Sequence, residues 1–302
     1  MFRLPHRLSV ACVLLLALAW PLRAEPPVPL LWKVSDADNA VYLLGSFHLL
    51  HADDYPLSAD VKAAFADAED LLFELSPEEA TSPGLPAQMA QAAMRRRPGD
   101  LRQDLGAELW TQLQAYTAAN NLLLAALQGF DPWFVALTVG LREMARQGLD
   151  PALGLDRHFM DAARRTGKPA AGLEAASAQI AVLSGMSLAE QRQMLAEALQ
   201  QAHEGPAQSR KLHAAWRAGD ARRLWDEMAA QMKRDYPALY ARINVARNDA
   251  WLPLLEQRLA RKDRDTLVVV GALHLLGDDG VVDKLRARGY RVERICSACR
   301  QP

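Results

Sequence analysis

The run Gly45-Ser46-Phe47-His48-Leu49-Leu50 returns near the far end of the chain as Gly271-Ala272-Leu273-His274-Leu275-Leu276. Each copy follows a short apolar stretch, Val41-Tyr42-Leu43-Leu44 in the first case and Leu267-Val268-Val269-Val270 in the second. An uninterrupted apolar run of that length reads as a strand buried on both faces. The glycine after it reads as a sharp backbone turn, and the histidine as a side chain held just past the strand's end. A chain that presents two histidines in the same local context from opposite ends is expected to bring them together as two halves of one site.

The segments around the two runs share a plan. Leu31-Trp32-Lys33-Val34 and Val41 to Leu44 are strands joined by the turn-rich Ser35-Asp36-Ala37-Asp38-Asn39, a hairpin signal. A polar loop through Asp53, Asp54 and Pro56 follows, then Ser58 caps a helix over Ala59 to Asp67. Asp70-Leu71-Leu72-Phe73-Glu74-Leu75 returns as a strand. Near the C-terminus, Leu267 to Val270 is a strand, Gly280 to Arg288 a helix ended by Gly289, and Tyr290 to Ile295 a strand. Strand-helix-strand units imply parallel neighbours with right-handed crossovers. Between them, periodicity predicts helices over about 83–260, interrupted by one strand, Pro169-Ala170-Ala171-Gly172-Leu173. Pro132 starts one helix, and Leu188 to Ala202 and Leu212 to Met232 are others; Met186, Met194, Trp216, Trp225 and Met228 are expected in the core. The expected fold class is α/β (α+β): a split sheet from N- and C-terminal β-α-β units with a large helical insertion, all within one domain over 25–302.

Residues 1–24 are set apart as a secretory signal peptide. Arg3 and Arg7 form the positive region, Leu8 to Trp20 the apolar core, Pro21 the break and Leu22-Arg23-Ala24 the cleavage site. The mature protein is therefore expected in the periplasm or secreted, with no stable membrane span. Of the three cysteines, Cys296 and Cys299 would remain, as a small-loop disulfide or as free thiols. A formal net charge of −1 gives no support for a nucleic-acid binder. The run Arg95-Arg96-Arg97 reads as a solvated helix end. There is no G-x-S-x-G elbow, no H-E-x-x-H, no Walker loop and no G-x-G-x-x-G, which removes support for serine hydrolase, zincin and nucleotide sites.

His48, Glu74 and His274 each lie at or just past a strand's C-terminal end, where open parallel sheets bind their ligands. Two imidazoles and a carboxylate are a ligand set for a divalent metal with open positions, which suits hydrolysis. Glu174 ends the fourth strand at the same rim; it is a further ligand, a general base, or simply a helix N-terminal carboxylate. Arg247 and Asn248 could clamp a substrate carboxylate or stabilise developing charge, and a surface arginine is the plain alternative. Asp156 is either a helix cap or a group that orients a metal ligand. His51, His158, His203 and His213 read as surface histidines.

With those residues in view, the chain resembles the TraB/GumN family. Leu31 to Val34, Val41 to His48, Asp53 to Leu57 and Asp70 to Leu75 match its start; Gly154-Leu155-Asp156, Gly167-Lys168-Pro169 and Gly172-Leu173-Glu174 match its middle. Arg247-Asn248 with Trp251, and Val270 to Leu275, match its end. The resemblance implies kinship with Tiki-type metal-dependent proteases, in which two G-x-x-H histidines and an intervening Glu act together, here His48, His274 and Glu74. It implies Mn²⁺ or Co²⁺ as the metal, with Zn²⁺ an option, and a peptide or protein as the substrate. Ser46 stands where many members carry Thr, which keeps the hydroxyl. Relatives differ in role: TraB dampens peptide pheromone signalling, GumN was named from a polysaccharide gene cluster, and a more distant relative binds haem. The expectation is an exported metal-dependent hydrolase acting as a peptidase; the alternatives are a haem- or iron-binding protein and a non-catalytic peptide-binding module.

Overall fold

In the computed structural model, which describes residues 25–262 and 264–299, the chain opens with a hairpin built by its own side chains. Strand β1 (Leu31–Ser35) pairs antiparallel with β2 (Ala40–Ser46). The carboxylate of Asp36 accepts the backbone N–H groups of Asp38 and Asn39, both at 3.2 Å, and so closes the turn. Ser58 caps the helix Ala59–Asp67 by accepting from Val61 N–H, and the chain returns as β3 (Asp70–Phe73). The remaining strands are β4 (Ala170–Gly172), β5 (Thr266–Gly271) and β6 (Arg291–Arg294).

The six strands run in the order β4-β3-β5-β2-β1-β6. The sheet is mixed, with helices between β3 and β5, so the α/β class with a large helical insertion holds. The expected neighbours do not. β5 inserts between β2 and β3, parallel to both, and β6 crosses to the far edge to pair antiparallel with β1. The residue chemistry accounts for this. Every residue of β2 and β5 is buried, and such strands need both faces covered, which only a central position provides. β6, Arg-Val-Glu-Arg, alternates exposed and half-buried positions and suits an edge. A fully buried Val or Leu contributes about 1.5–3 kcal/mol, so the two strands that carry the histidines are among the most firmly held parts of the fold.

Among the described residues, no helix is long and apolar enough to cross a membrane. The signal-peptide expectation falls on residues 1–24, outside the described residues. Cys296 and Cys299 form a disulfide. The helix expected over Leu212 to Met232 is broken: one helix, Pro206–Arg217, ends before Gly219, and Asp220 caps the next by accepting from Arg223 N–H at 2.9 Å. Arg95 is not a solvated helix end. Its side chain is buried and pairs with Asp104, while Arg97 reaches Asp131 at 2.8 Å.

His213 likewise departs from its surface reading, through Asp54. Asp54 is fully buried and accepts from His213 Nε2 at 2.8 Å, from His51 N–H at 2.8 Å and from Arg217. This cluster ties the loop after His48 to the helix Pro206–Arg217, whose Trp216 donates from Nε1 to the Gly45 carbonyl at 3.2 Å. Burial alone would raise the Asp54 pKa, but the three donors outweigh it and hold it below the usual carboxylate range. Its stabilising effect is therefore full above an unfolded pKa of about 3.9 and is lost as pH falls through the lower folded value. Asp54→Asn is expected to cost about 3–5 kcal/mol at neutral pH, since it leaves Arg217 without its charge partner. Denaturant melts at pH 7 and pH 3 check this: the gap between wild type and variant should narrow in acid. An equal gap at both pH values would mean that Asp54 is not ionised in the fold.

Candidate functional site

β2, β5 and β3 are adjacent and parallel, so their C-terminal ends open on one rim. Gly45 stands opposite Val270 and Ser46 opposite Gly271, which places the two glycine-histidine runs side by side but one residue out of step. Glu74 follows β3 on the other side of β5, and its Oε1 accepts from Gly271 N–H at 2.9 Å. β4 pairs with β3 up to Gly172, and Glu174 N–H donates to the Glu74 carbonyl at 3.0 Å. The rim expected from the sequence thus gathers His48, Glu74, Glu174 and His274.

Neither glycine is a sharp turn. Gly45 lies within β2, Gly271 ends β5 at φ −50°, and neither has a positive φ. What both positions require is space. A Cβ on Gly45 would stand 3.0 Å from Leu30 Cβ and 3.3 Å from Ala272; one on Gly271 would stand 3.1 Å from Glu74 Oε1 and 3.2 Å from His48 Nε2. The missing side chain at Gly271 leaves a cradle between a carboxylate oxygen and an imidazole nitrogen.

The two histidines are held by different partners. His48 Nδ1 donates to Asp156 Oδ2 at 2.8 Å, Asp156 lying in the first turn of the helix Leu155–Thr166. His274 Nδ1 donates to Asn248 Oδ1 at 2.7 Å, and the Asn248 amide is itself fixed by donating to the Asp279 carbonyl at 2.7 Å. Each bond places a proton on Nδ1, and both Nε2 atoms face Glu74 Oε1, at 3.8 Å from His48 and 3.9 Å from His274. The environments differ as sharply. Asp156's negative charge raises the His48 pKa to about 10, although the ring is 56% exposed and solvent screens part of that pull. His274 is buried, and burial lowers its pKa to about 4.

Arg247 and Asn248 come from the start of the helix Ala246–Leu259, entered through the π-helical turn Ala241–Val245. Consecutive helical residues point about 100° apart, which lets this pair bracket one imidazole: Asn248 takes Nδ1, and Arg247 Nη1 donates to Nε2 at 3.0 Å. Arg247 also reaches Glu74 Oε2 at 2.5 Å and Glu174 through Nε and Nη2, so it is no surface residue. Burial would lower its pKa, but Glu74 and Glu174 together raise it. Burial would likewise raise Glu74, yet the neighbouring His274, His48 and Arg247 and the Gly271 N–H outweigh that and hold it well below the carboxylate range.

The chemistry of the donors suits a divalent cation. Two ligands of one such ion, each about 2.0–2.2 Å from it, stand at most about 4.4 Å apart, and the two Nε2–Oε1 separations, 3.8 and 3.9 Å, fall inside that limit. The cradle beside Gly271 borders the same oxygen and the His48 nitrogen. Among the described residues, though, no three His, Cys, Asp or Glu side chains already stand grouped as a metal site, and Arg247 covers the Nε2 lone pair of His274. A cavity of about 720 Å³ elsewhere, bordered by Tyr116, Arg146 and Leu199 in the helical insertion, includes none of these residues.

A family model described as TraB/PrgY/gumN family matches residues 30–294, a span that holds both G-x-x-H runs, Glu74 and the Arg247-Asn248 pair. The chain belongs to the TraB/PrgY/gumN family. No curated protein and no solved structure matches it. In this family member, two further site residues come from tertiary packing. Gln179 Nε2, in the helix Ala176–Ser184, bridges Glu74 Oε2 at 3.2 Å and Glu174 Oε1 at 3.0 Å. Trp251 lies 4.5 Å from the His274 ring and under the Arg247 guanidinium. Its place four residues after Arg247, on the same helix face, was a usable sequence signal; Gln179 had none. His203 stays exposed, whereas His158 packs against Tyr55 at 4.9 Å and His51 against His213 at 4.8 Å.

Proposed function

We propose that this chain is an exported metal-dependent hydrolase whose substrate is a peptide or protein. The observation that carries the reading is the pair of imidazoles, each with Nδ1 fixed by a partner, whose Nε2 atoms face one oxygen of Glu74. His48, Glu74 and His274 would hold the metal, Mn²⁺ or Co²⁺ by family resemblance, with Zn²⁺ also compatible with the ligands. Bound there, a divalent ion supplies an activated water and a Lewis acid for a carbonyl.

The chain's own residues do the rest. Asp156 and Asn248 keep the rings turned toward Glu74, which spares the site the cost of ordering them on binding. The exposed flank at His48 admits the substrate, while the buried His274 side excludes water. Glu174 is the carboxylate left to take a proton from water or pass one to the leaving amine. Arg247 is the cation nearest His274 and is suited to hold a carbonyl oxygen as negative charge builds on it. A clamp on a substrate's free carboxylate is a poorer role for Arg247, because Glu74 and Glu174 already neutralise it.

Protein purified without added metal, stripped by chelation and tested on a mixed peptide pool, is expected to be inactive and to regain cleavage with Mn²⁺ or Co²⁺. Undiminished cleavage after exhaustive chelation would sink the metal reading. Stoichiometric metal binding with no cleavage of any peptide would leave a binding module instead.

A further inference from the structure

The two oxygens of Glu74 face different groups. Oε1 faces the Nε2 atoms of both histidines and accepts the Gly271 N–H, whereas Oε2 is taken by Arg247 and Gln179. Arg247 spans the division. Its Nη2 lies between Glu74 Oε2 and Glu174 Oε1, each at 2.5 Å, its Nε donates to Glu174 at 3.0 Å, and its Nη1 covers the His274 lone pair at 3.0 Å. A nitrogen lone pair that accepts a hydrogen bond from a guanidinium cannot at the same time bind a metal. Arg247 therefore stands where His274 would have to meet the ion, and carries a positive charge of its own there.

We propose that Arg247 is a resident cation that a divalent metal must displace from His274, pivoting on Glu174, which keeps hold of the guanidinium when it lets go. This rests on the metal reading above and gives Glu174 a second task beside proton transfer. Glu174 contributes no oxygen to Glu74's open side. It meets Arg247 through two nitrogens and Gln179 through a third contact, a planar fork-to-carboxylate match that persists when Nη1 swings away. Trp251, with its ring 5.0 Å from the guanidinium carbon, offers a flat face over which the group can turn without losing contact. With Arg247 in place the like-charged Glu74 and Glu174 are bridged, so the metal-free protein is held together at the rim. The ion then takes over the neutralisation of Glu74 and leaves the arginine to Glu174.

Mn²⁺ titrations by calorimetry, with thermal melts of the metal-free proteins, test this on the full mature chain. Arg247→Met is expected to bind Mn²⁺ at least about tenfold more tightly than wild type and to melt lower without metal. Arg247→Lys separates displacement from mere repulsion, because a lysine keeps the charge but cannot span His274 and both carboxylates. Displacement predicts that Arg247→Lys also binds more tightly; wild-type affinity in that variant would overturn it. Glu174→Gln removes the pivot and should weaken Mn²⁺ binding, yet the double variant with Arg247→Met should bind as tightly as Arg247→Met alone. A double variant as weak as Glu174→Gln would make Glu174 a direct ligand and end the pivot. Mn²⁺ binding by wild type with no change in the Arg247 variants refutes the displacement and spares the metal site. Absence of Mn²⁺ binding from wild type and every variant refutes the site itself.

Discussion

His48→Ala and His274→Ala are each expected to lose Mn²⁺ affinity by more than about 100-fold and to lose hydrolysis with it, while both keep the fold. The structure makes the two substitutions unequal in every other respect. His48 is half-exposed, so its removal should leave the melting temperature close to wild type. His274 is buried against Trp251 and between Asn248 and Arg247, so its removal opens a cavity and strands the Asn248 carbonyl. Equal loss of metal from variants of such unequal stability would point to a shared ligand role. For Glu74 the variant to use is Glu74→Gln, because Ala would also free Arg247 and the Gly271 N–H. Metal content of the purified variants and their Mn²⁺ isotherms decide the matter. If His48→Ala loses the ion and His274→Ala binds it normally, the two G-x-x-H runs do not make one centre.

Gly271→Ala is expected to have an effect of similar size from a single methyl group. At φ −50° and ψ 133° an alanine fits the backbone, and strain is not a reason for failure. Its Cβ, however, would stand 3.1 Å from Glu74 Oε1 and 3.2 Å from His48 Nε2, in the space a shared ion needs. The variant should melt within a few degrees of wild type and bind Mn²⁺ about 100-fold more weakly or not at all. Gly45→Ala is the internal contrast. There the added Cβ would press on Leu30 and Ala272 inside the sheet, at an overpacking cost of about 1–3 kcal/mol. That variant should lose stability first and metal second. Calorimetry beside thermal melts of the pair reads both outcomes, and wild-type Mn²⁺ affinity in Gly271→Ala would mean that no ion lies between those two atoms.

Much of this site could be read from residue order because it is made by strand ends. Leu267 to Val270 and Val41 to Leu44 are too apolar to lie anywhere but the middle of the sheet, and whatever follows such strands in a parallel arrangement shares a rim. His48, Glu74, Glu174 and His274 were placed together on that ground alone. Arg247 and Asn248 were named as candidates, but their roles were not legible: helical periodicity says nothing about which atoms of an imidazole two adjacent residues will meet. The glycines were assigned a turn when their function is room, because room depends on Leu30 and Glu74, which approach from elsewhere in the chain.

Local chemistry was enough for the hairpin, the Ser58 cap, the apolar central strands and the identity of the rim's residues, since each depends on a few neighbouring side chains or on a repeating pattern. Strand order was not local. β5 lies between β2 and β3 although nearly two hundred residues separate it from β3 in the chain, and no short-range pattern records that. The electrostatics were decided at the same level. His48 and His274 occupy matching positions in matching runs, yet one is raised by Asp156 and the other lowered by burial. An imidazole's pKa answers to the charges and the solvent around it, and those neighbours arrive only through tertiary packing.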